Sequence, residues 1–181
     1  MGAVLCGGLS TRMGRDKALV PYLGVPMARR VADALVAGGC ATVVAVGGDD
    51  AGLSALGLAP IPDLHPAEGP LGAVITALGG HDHAEAVLVV GCDMPLLDGA
   101  AVGSLLSALR EHPEADVAMG FTDRRQPLFA AWRPSCLPEL RRVFGAGERA
   151  IHRAVRELHC VDVAVPPESV RNVNTVDDLN D

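Results

Sequence analysis

The sequence predicts a three-layer α/β fold built on a mostly parallel, mixed β-sheet, and three observations support this prediction. Short apolar runs alternate with helical patterns along the 181 residues, which is typical of βαβ units. Hydrophobic residues make up 49% of the chain but aromatic residues only 3%, a composition that suits buried strands covered by helices. The length suits one well-buried core, so we expect a single domain over residues 1–181.

Strands are predicted where short apolar runs are bounded by turn residues. These runs are Ala3–Leu5, Thr42–Val46, Ala86–Gly91, Asp116–Gly120, Leu128–Trp132 and Val161–Val165. Residues 121–127 leave no room for a crossover helix between two of these strands, which predicts an antiparallel pair within the sheet. Open sheets of this type bind ligands beyond the carboxyl ends of their strands, so the site is expected at that edge.

Helices are predicted from apolar residues at helical spacing together with signals at the helix ends. The predicted helices are Met27–Ala37, Pro70–Leu78, Ala100–Glu111, Pro134–Phe144, Glu148–Leu158 and a short one near Val176–Leu179. The first two begin near a proline and end before a glycine pair, which is the usual asymmetry of helix ends. Asp98 and Thr175 are predicted to be N-caps.

The charge and cysteine content exclude several classes of protein. A net charge of −7 argues against nucleic acid or an anionic membrane as a general partner. The sequence lacks an apolar stretch near the roughly 20 residues that span a bilayer and a signal-peptide pattern, so we expect a cytoplasmic protein. The five cysteines form no CxxC pair, which indicates reduced, buried thiols rather than a zinc site.

The first apolar run leads into a glycine-rich basic loop over residues 5–17 that contains Arg12, Arg15 and Lys17. Backbone N–H groups at glycines approach anions closely, and cationic side chains add to the attraction, so the loop predicts a phosphate site. Fourteen of the fifteen basic residues are arginines and Lys17 is the single lysine. A compact ammonium, rather than a planar guanidinium, is therefore expected to matter at this position.

A carboxylate follows the apolar run over residues 87–91, in the order Gly91-Cys92-Asp93-Met94-Pro95. A carboxylate at the end of a central strand, opposite a phosphate loop, can hold a hard cation against phosphate oxygens. Asp93 is therefore the candidate Mg²⁺ ligand.

The chain resembles the MobA family, molybdenum cofactor guanylyltransferases, within the sugar-nucleotide-like nucleotidyltransferases. The resemblance covers essentially the whole chain and depends on five blocks in the same order: residues 5–17, Asp63 with 68–72, 91–95, 126–128, and 172–175 leading to 178–179. It implies a Rossmann-like nucleotidyltransferase fold. It also implies transfer of GMP from GTP to the terminal phosphate of molybdopterin, with Mg²⁺ as cofactor and pyrophosphate as the second product.

The resemblance also implies roles for individual residues. Lys17, Arg12 and Asp93 are the expected catalytic residues, and Asp93 the metal ligand. The expected nucleotide contacts are Leu5, Cys6, Gly7, Gly8, Lys17, Asp63 and Asp93. The expected acceptor contacts are Gly69, Gly72, Asn172 and Asn174, and transient contact with molybdenum cofactor enzymes or assembly proteins is also expected.

Three alternatives to GMP transfer onto molybdopterin remain open: transfer of cytidylyl, transfer to another small phosphate acceptor, and a non-catalytic nucleotide-binding module. Cys6-Gly7-Gly8 favours guanine, since cytidylyl relatives typically have Ala-Ala-Gly, but transfer of cytidylyl or to another small phosphate acceptor stays an alternative. The family usually has an asparagine in the loop after the second strand, whereas this chain has Val46-Gly47-Gly48-Asp49. A non-catalytic nucleotide-binding module is the third alternative, which Arg12, Lys17 and Asp93 argue against. A Rossmann dehydrogenase is disfavoured because the loop lacks GxGxxG spacing.

Overall fold

The computed structural model describes residues 1–7, 16–81, 83–175 and 178, and within them it confirms the predicted α/β class. The strands are β1 Gly2–Leu5, β2 Pro21–Tyr22, β3 Val25–Pro26, β4 Val43–Val46, β5 Ala59–Ile61, β6 Val87–Gly91, β7 Val117–Phe121, β8 Arg125–Trp132 and β9 Cys160–Ala164. The α-helices are α1 Met27–Ala37, α2 Asp50–Ala55, α3 Pro70–Leu78, α4 Gly99–Glu111, α5 Leu137–Gly145 and α6 Ile151–Ala154.

Seven of these strands form one mixed sheet in the order β5-β4-β1-β6-β8-β7-β9. β1 pairs in parallel with β4 and β6, and β4 pairs in parallel with β5. β8 is antiparallel to β6 and to β7, as the short connection between residues 121 and 125 requires. The predicted antiparallel pair is thereby confirmed, and β2 with β3 forms a separate small hairpin.

Helices cover both faces of the sheet, so the molecule has three layers. Helices α1 and α4 pack on one face, against inward side chains such as Val4 and Val90. Helices α3, α5 and α6 pack on the other face, against Leu5 and Val89. The alternation along β1 and β6 follows from the period of two in a strand, and both faces are apolar because both are covered.

Several element bounds differ from the sequence prediction, and α2, β5 and the β2–β3 hairpin were not predicted at all. β5 contains Pro60 and has only three residues, which suits a strand at the edge of a sheet but gives no periodicity to detect. The predicted helix Glu148–Leu158 is reduced to α6 and a 3₁₀ turn, because the Glu148 carboxylate accepts the amides of Arg149 and Ala150 before α6 begins.

The predicted short helix near Val176–Leu179 falls outside the described residues apart from Asp178. Within the part of the chain that the structure describes, no helix is long and apolar enough to cross a membrane.

Candidate functional site

Four parallel strands deliver their carboxyl ends to the same edge of the sheet. The pairings place Leu5 beside Val46 and Gly91, and Val46 beside Ile61. The segments that follow these strands carry the Lys17, Asp63 and Asp93 side chains. Lys17, Asp63 and Asp93, three of the predicted site residues, therefore lie at the edge at which the sequence predicted a ligand site.

Lys17 lies in a 3₁₀ turn over Lys17–Leu19, and its ammonium is held by two oxygen atoms. Nζ donates to Oδ2 of Asp93 at 3.0 Å and to Oδ1 of Asn174 at 2.7 Å. The side chains of Lys17 and Asp93 are only 15% and 23% exposed, so solvent screens this ion pair less than a surface pair. Three segments that are remote in the sequence thus meet at one positive charge.

The Asp93 carboxylate lies against the end of β6. A Cβ built on Gly91 would be 2.5 Å from Oδ1 of Asp93, so the glycine provides the space that this oxygen occupies. Oδ1 is buried and has no hydrogen-bond partner among the described residues, which is unusual for a carboxylate oxygen. The backbone carbonyl of Asp93 accepts the amide of Val173 at 2.8 Å.

This arrangement fits a hard divalent cation. Oδ2 of Asp93 and Oδ1 of Asn174 accept from the Lys17 ammonium, whereas Oδ1 of Asp93 has unused capacity as an acceptor. Carboxylate and amide oxygens are suitable ligands for Mg²⁺, which commonly takes one or two protein carboxylates together with water and substrate phosphate. Asp93 would hold such an ion.

Asp63 follows β5 and is oriented by a buried hydroxyl group. Its Oδ1 accepts hydrogen bonds from the hydroxyl group of Thr76 at 3.1 Å and from the backbone amide of His65 at 2.9 Å. Thr76 is 3% exposed and lies on α3. Oδ2 of Asp63 lies toward Gly7, 3.6 Å from a Cβ built there. Asp63 therefore lies beside Gly7, and its contact with the nucleotide stays a prediction.

The stretch from Leu5 to Gly7 is tied to its neighbouring strands. The amides of Cys6 and Gly7 both donate to the carbonyl of Val46, at 2.9 and 3.0 Å, and the carbonyl of Leu5 accepts the amide of Cys92. These two amides are engaged within the sheet, so nucleotide contact from Leu5, Cys6 and Gly7 stays a prediction that would use other atoms. The predicted contacts at Gly8 and Arg12 lie outside the described residues.

The Cys6 thiol near this edge is uncharged at neutral pH. A hydrogen bond with Cys92, together with burial, raises the pKa of the Cys6 thiol far above its usual value. Cys6 therefore adds no negative charge near the Asp16 carboxylate or beneath a site that must accept anions.

Asp16 is a residue that the sequence analysis did not single out. Its carboxylate accepts the amides of Ala18 at 3.0 Å and Asp49 at 2.8 Å, so it joins the Lys17 turn to the loop after β4. Asp49 in turn caps α2 by accepting the amides of Ala51 and Gly52. In the loop where the family usually has an asparagine, the described carboxylate of Asp49 is thus engaged by the backbone.

Gly69 and Gly72 flank the start of α3. Gly69 has φ 88° and begins the helix without a side-chain cap, so this backbone position favours glycine. A Cβ on Gly72 would be 2.6 Å from Cβ of His65, so Gly72 lets the loop after Asp63 pack on the helix. The structure therefore gives Gly72 a packing role, and acceptor binding by both glycines stays a prediction.

The C-terminal segment contributes Asn174 more directly than Asn172. Val173 is fully buried between the two exposed asparagines, so both amides lie on the opposite side from the core. Oδ1 of Asn174 contacts Lys17. The Asp178 carboxylate accepts the amides of Asn174 and Thr175, both at 2.8 Å, and these bonds lower its pKa.

A pocket of about 450 Å³ extends the site along the same edge of the sheet. Its lining residues are Pro70, Pro127, Leu128, Arg149, Ala150, Ile151, His152 and Arg153. Leu128 lies near the end of β6, because a Cβ built on Gly91 would be 3.9 Å from its Cβ. Arg149 stacks on the Phe144 ring at 3.9 Å and donates to Glu68 at 2.9 Å. The pocket thus combines apolar walls with fixed cationic groups.

The Glu148 carboxylate lies beside this pocket and is permanently ionised at neutral pH. Hydrogen bonds from Arg153, and then from the Ala150 amide, lower the pKa of Glu148 to about 2. The basic side chains on this wall are thereby partly balanced and held in place. Arg149 and Arg153 were not predicted as site residues, because the sequence predicted one continuous helix from Glu148 and not the turn in which Arg149 lies.

The comparisons with known proteins agree with this geometry. Residues 2–162 match the family model of the MobA-like NTP transferase domain. A probable molybdenum cofactor guanylyltransferase of Chloroflexus aggregans is 36% identical over 98% of this chain and 90% of its own length. A molybdenum cofactor guanylyltransferase of Rhodobacter capsulatus is 34% identical over 98% of this chain and 92% of its own length.

The solved structures show the same fold. The molybdopterin-guanine dinucleotide biosynthesis protein A of Archaeoglobus fulgidus is 27% identical, with a TM-score of 0.79, over 99% of this chain and 94% of that one. A CMP:2-keto-3-deoxy-manno-octonic acid synthetase is only 15% identical but has a TM-score of 0.75 over 99% of this chain and 94% of that one; this likeness concerns the fold alone. From the family model and the relatives together, the chain belongs to the MobA-like NTP transferase family.

Proposed function

We propose that the protein transfers GMP from GTP to the terminal phosphate of molybdopterin and releases pyrophosphate. The observation that carries the proposal is the Lys17 ammonium, which is held between Asp93 and Asn174 at the edge where four parallel strands end. The names of the two guanylyltransferase relatives support guanine as the base. They also support molybdopterin as the acceptor.

The reaction joins two anions, because a phosphate oxygen of the acceptor attacks the α-phosphorus of GTP. Charge accumulates on the phosphate oxygens, and positioning together with electrostatic stabilisation provides most of the acceleration. Lys17 would donate the third N–H of its ammonium to those oxygens, since Asp93 and Asn174 accept the other two. The attacking phosphate is already ionised at neutral pH, so we assign no side chain as a nucleophile or a general base.

Asp93 would hold Mg²⁺, which supplies Lewis-acid stabilisation of phosphate charge when bound. The carboxylate of Asp93 also orients Lys17 through the 3.0 Å contact. Asp63 would contact the nucleotide through Oδ2, since Thr76 and His65 already occupy Oδ1. Arg12, Gly8 and the backbone of Leu5 to Gly7 complete the proposed nucleotide site.

The acceptor would lie on the side of Asp93 that faces α3 and the pocket beside Leu128. Gly69, Gly72, Asn172 and Asn174 are the proposed acceptor contacts. The apolar walls of the pocket can bury the faces of a flat ring system, and Arg149 offers a fixed guanidinium for polar groups. We infer that the dinucleotide product passes to molybdenum cofactor enzymes or assembly proteins through transient contacts.

The proposal is tested by incubating the protein with Mg²⁺, molybdopterin and each of GTP, CTP, ATP and UTP, followed by mass analysis of the products. We expect the guanylylated dinucleotide and pyrophosphate with GTP, and at least about 10²-fold less with the Asp93→Asn variant, the scale of a lost transition-state contact. If the main product is the cytidylylated dinucleotide, the nucleotide substrate is CTP and not GTP. No product with any of the four would refute the proposal.

A further inference from the structure

A third apolar cluster, separate from the two layers that cover the sheet, lies under the Lys17 site. We call it the edge cluster; its members are Val20, Tyr22, Met27, Leu96 and Val173. Val20 follows Lys17 by three residues, Leu96 follows Asp93 by three, and Val173 directly precedes Asn174. Lys17, Asp93 and Asn174, which meet at the ammonium, are therefore each within three residues of a member of the edge cluster.

Hydrogen bonds tie these anchored segments together. The amide of Val173 donates to the carbonyl of Asp93 at 2.8 Å, and a guanidinium nitrogen of Arg171 donates to the hydroxyl oxygen of Tyr22 at 3.1 Å. Upstream, the hydroxyl of Ser169 donates to Oδ2 of Asp98 at 3.0 Å. The C-terminal segment is thus fastened to the loop after β6 and to the β2–β3 hairpin.

The segment that carries Asn174 is fixed by a few separate contacts: the amides of Val173 and Asn174 donate to Asp93 and Asp178, and the Val173 side chain is buried. Residues 171–174 belong to no helix or strand, so no ladder of backbone hydrogen bonds fixes them. Val173 is fully buried and Tyr22 is 3% exposed. Among the described residues, burial of Val173 in the edge cluster is the apolar contact next to Asn174, and it sets the position of the amide oxygen together with the bond from the Asn174 amide to Asp178.

We propose that Val173 and Tyr22 are positioning residues: by seating the segment 171–174 in the edge cluster, they hold Asn174 and Asp93 against Lys17. The Lys17 side chain carries a compact charge on a flexible four-carbon stem. The position of its ammonium therefore depends on its two oxygen partners, Asp93 and Asn174. This proposal rests on the proposed function only in treating Lys17 as the group that meets the phosphates.

The chain offers a direct probe, because Lys17 is its single lysine. Protein grown with lysine labelled with ¹³C at Cε gives one Lys17 side-chain resonance, recorded without any substrate. The variants are Val173→Ala, which truncates the anchor, and Asn174→Ala, which removes one partner of the ammonium without touching the cluster. Tyr22→Phe is a milder variant that keeps the ring and removes the acceptor of Arg171.

Val117→Ala is the matched control. Val117 is also fully buried, and its pairing partner Trp132 pairs with Val87 at the start of β6, so it lies at the opposite edge of the sheet. The substitution removes the same atoms from a core. It should lower the melting temperature to a similar extent.

We expect Asn174→Ala and Val173→Ala to move the Lys17 resonance toward the position of free lysine, Tyr22→Phe to move it part of the way, and Val117→Ala to leave it in place. In the transfer assay, Val173→Ala should lower kcat about tenfold, within the cost of a misplacement near 1 Å. KM for GTP should change less. Val117→Ala should keep kcat within about twofold, as expected for a remote site.

An unchanged Lys17 resonance in Val173→Ala and Tyr22→Phe would overturn the proposal, as would an equal change in Val117→Ala. If Val173→Ala does not fold, Tyr22→Phe decides alone. If the protein transfers no GMP, the proposed function fails, yet the resonance still shows whether the edge cluster positions Lys17.

Discussion

Replacing Lys17 by alanine tests whether its ammonium stabilises charge during transfer. The side chain is 15% exposed and lies within 3.0 Å of two oxygen atoms, so the variant removes a partly desolvated, pre-positioned cation. Loss of one such donor typically costs about 3 kcal/mol in the transition state, or about 10²-fold in kcat. GTP binding should weaken less, because binding shares its charge contacts with other groups.

The assay is steady-state GMP transfer to molybdopterin, with Arg110→Ala as the control for net charge. Arg110 lies in the last turn of α4, where its hydrogen bond in the described structure goes to Ser107. Lys17→Arg should also be impaired, because a planar guanidinium cannot occupy the point between Asp93 and Asn174 that an ammonium fills. A kcat within about twofold of wild type in both Lys17 variants would refute this reasoning.

Two further predictions concern residues that hold the site carboxylates. Gly91→Ala places a Cβ 2.5 Å from Oδ1 of Asp93. The methyl group should displace the carboxylate, so we expect a kcat at least about tenfold lower in the transfer assay. Gly103→Ala is the control and should retain activity in the same assay, because the nearest atom that its Cβ would meet outside its own helix is 3.8 Å away. Thr76→Val removes the hydroxyl that orients Asp63. It should lower the free energy of unfolding by about 1–3 kcal/mol and raise the Kd for GTP in a binding titration. Thr76→Ser keeps the hydroxyl and should preserve both the stability and the Kd.

The fold was predictable wherever an element had enough residues to show a period. Met27–Ala37 and Pro70–Leu78 were predicted with the bounds that the structure has, because proline and glycine mark their ends. β5 and the β2–β3 hairpin were missed because segments of two or three residues have no periodicity, and tertiary pairing alone makes them strands. The helix expected from Glu148 was too long because a local carboxylate competes for the backbone amides.

The charged residues of the site were predictable from the sequence, but the residues that orient them were not. Lys17, Asp63 and Asp93 carry charges that suit phosphate and metal, and the strand ends explain why they meet. Nothing in the local sequence indicated that Thr76, on a buried helix face, would orient Asp63. The resemblance likewise implied that Asn174 contacts the acceptor, and the contact of its amide oxygen with the Lys17 ammonium was not predicted.

The distribution of partners among Asp16, Asp63 and Asp93, three of the carboxylates near the strand ends, explains why Asp93 is the metal candidate. Asp16 is engaged by two backbone amides, and one oxygen of Asp63 by Thr76 and His65. Asp93 keeps a buried oxygen without a partner among the described residues, and its other oxygen already contacts a cation. A carboxylate oxygen that is buried without a hydrogen-bond partner is costly, and among the described residues at this edge Oδ1 of Asp93 is such an atom, which makes Asp93 the metal candidate.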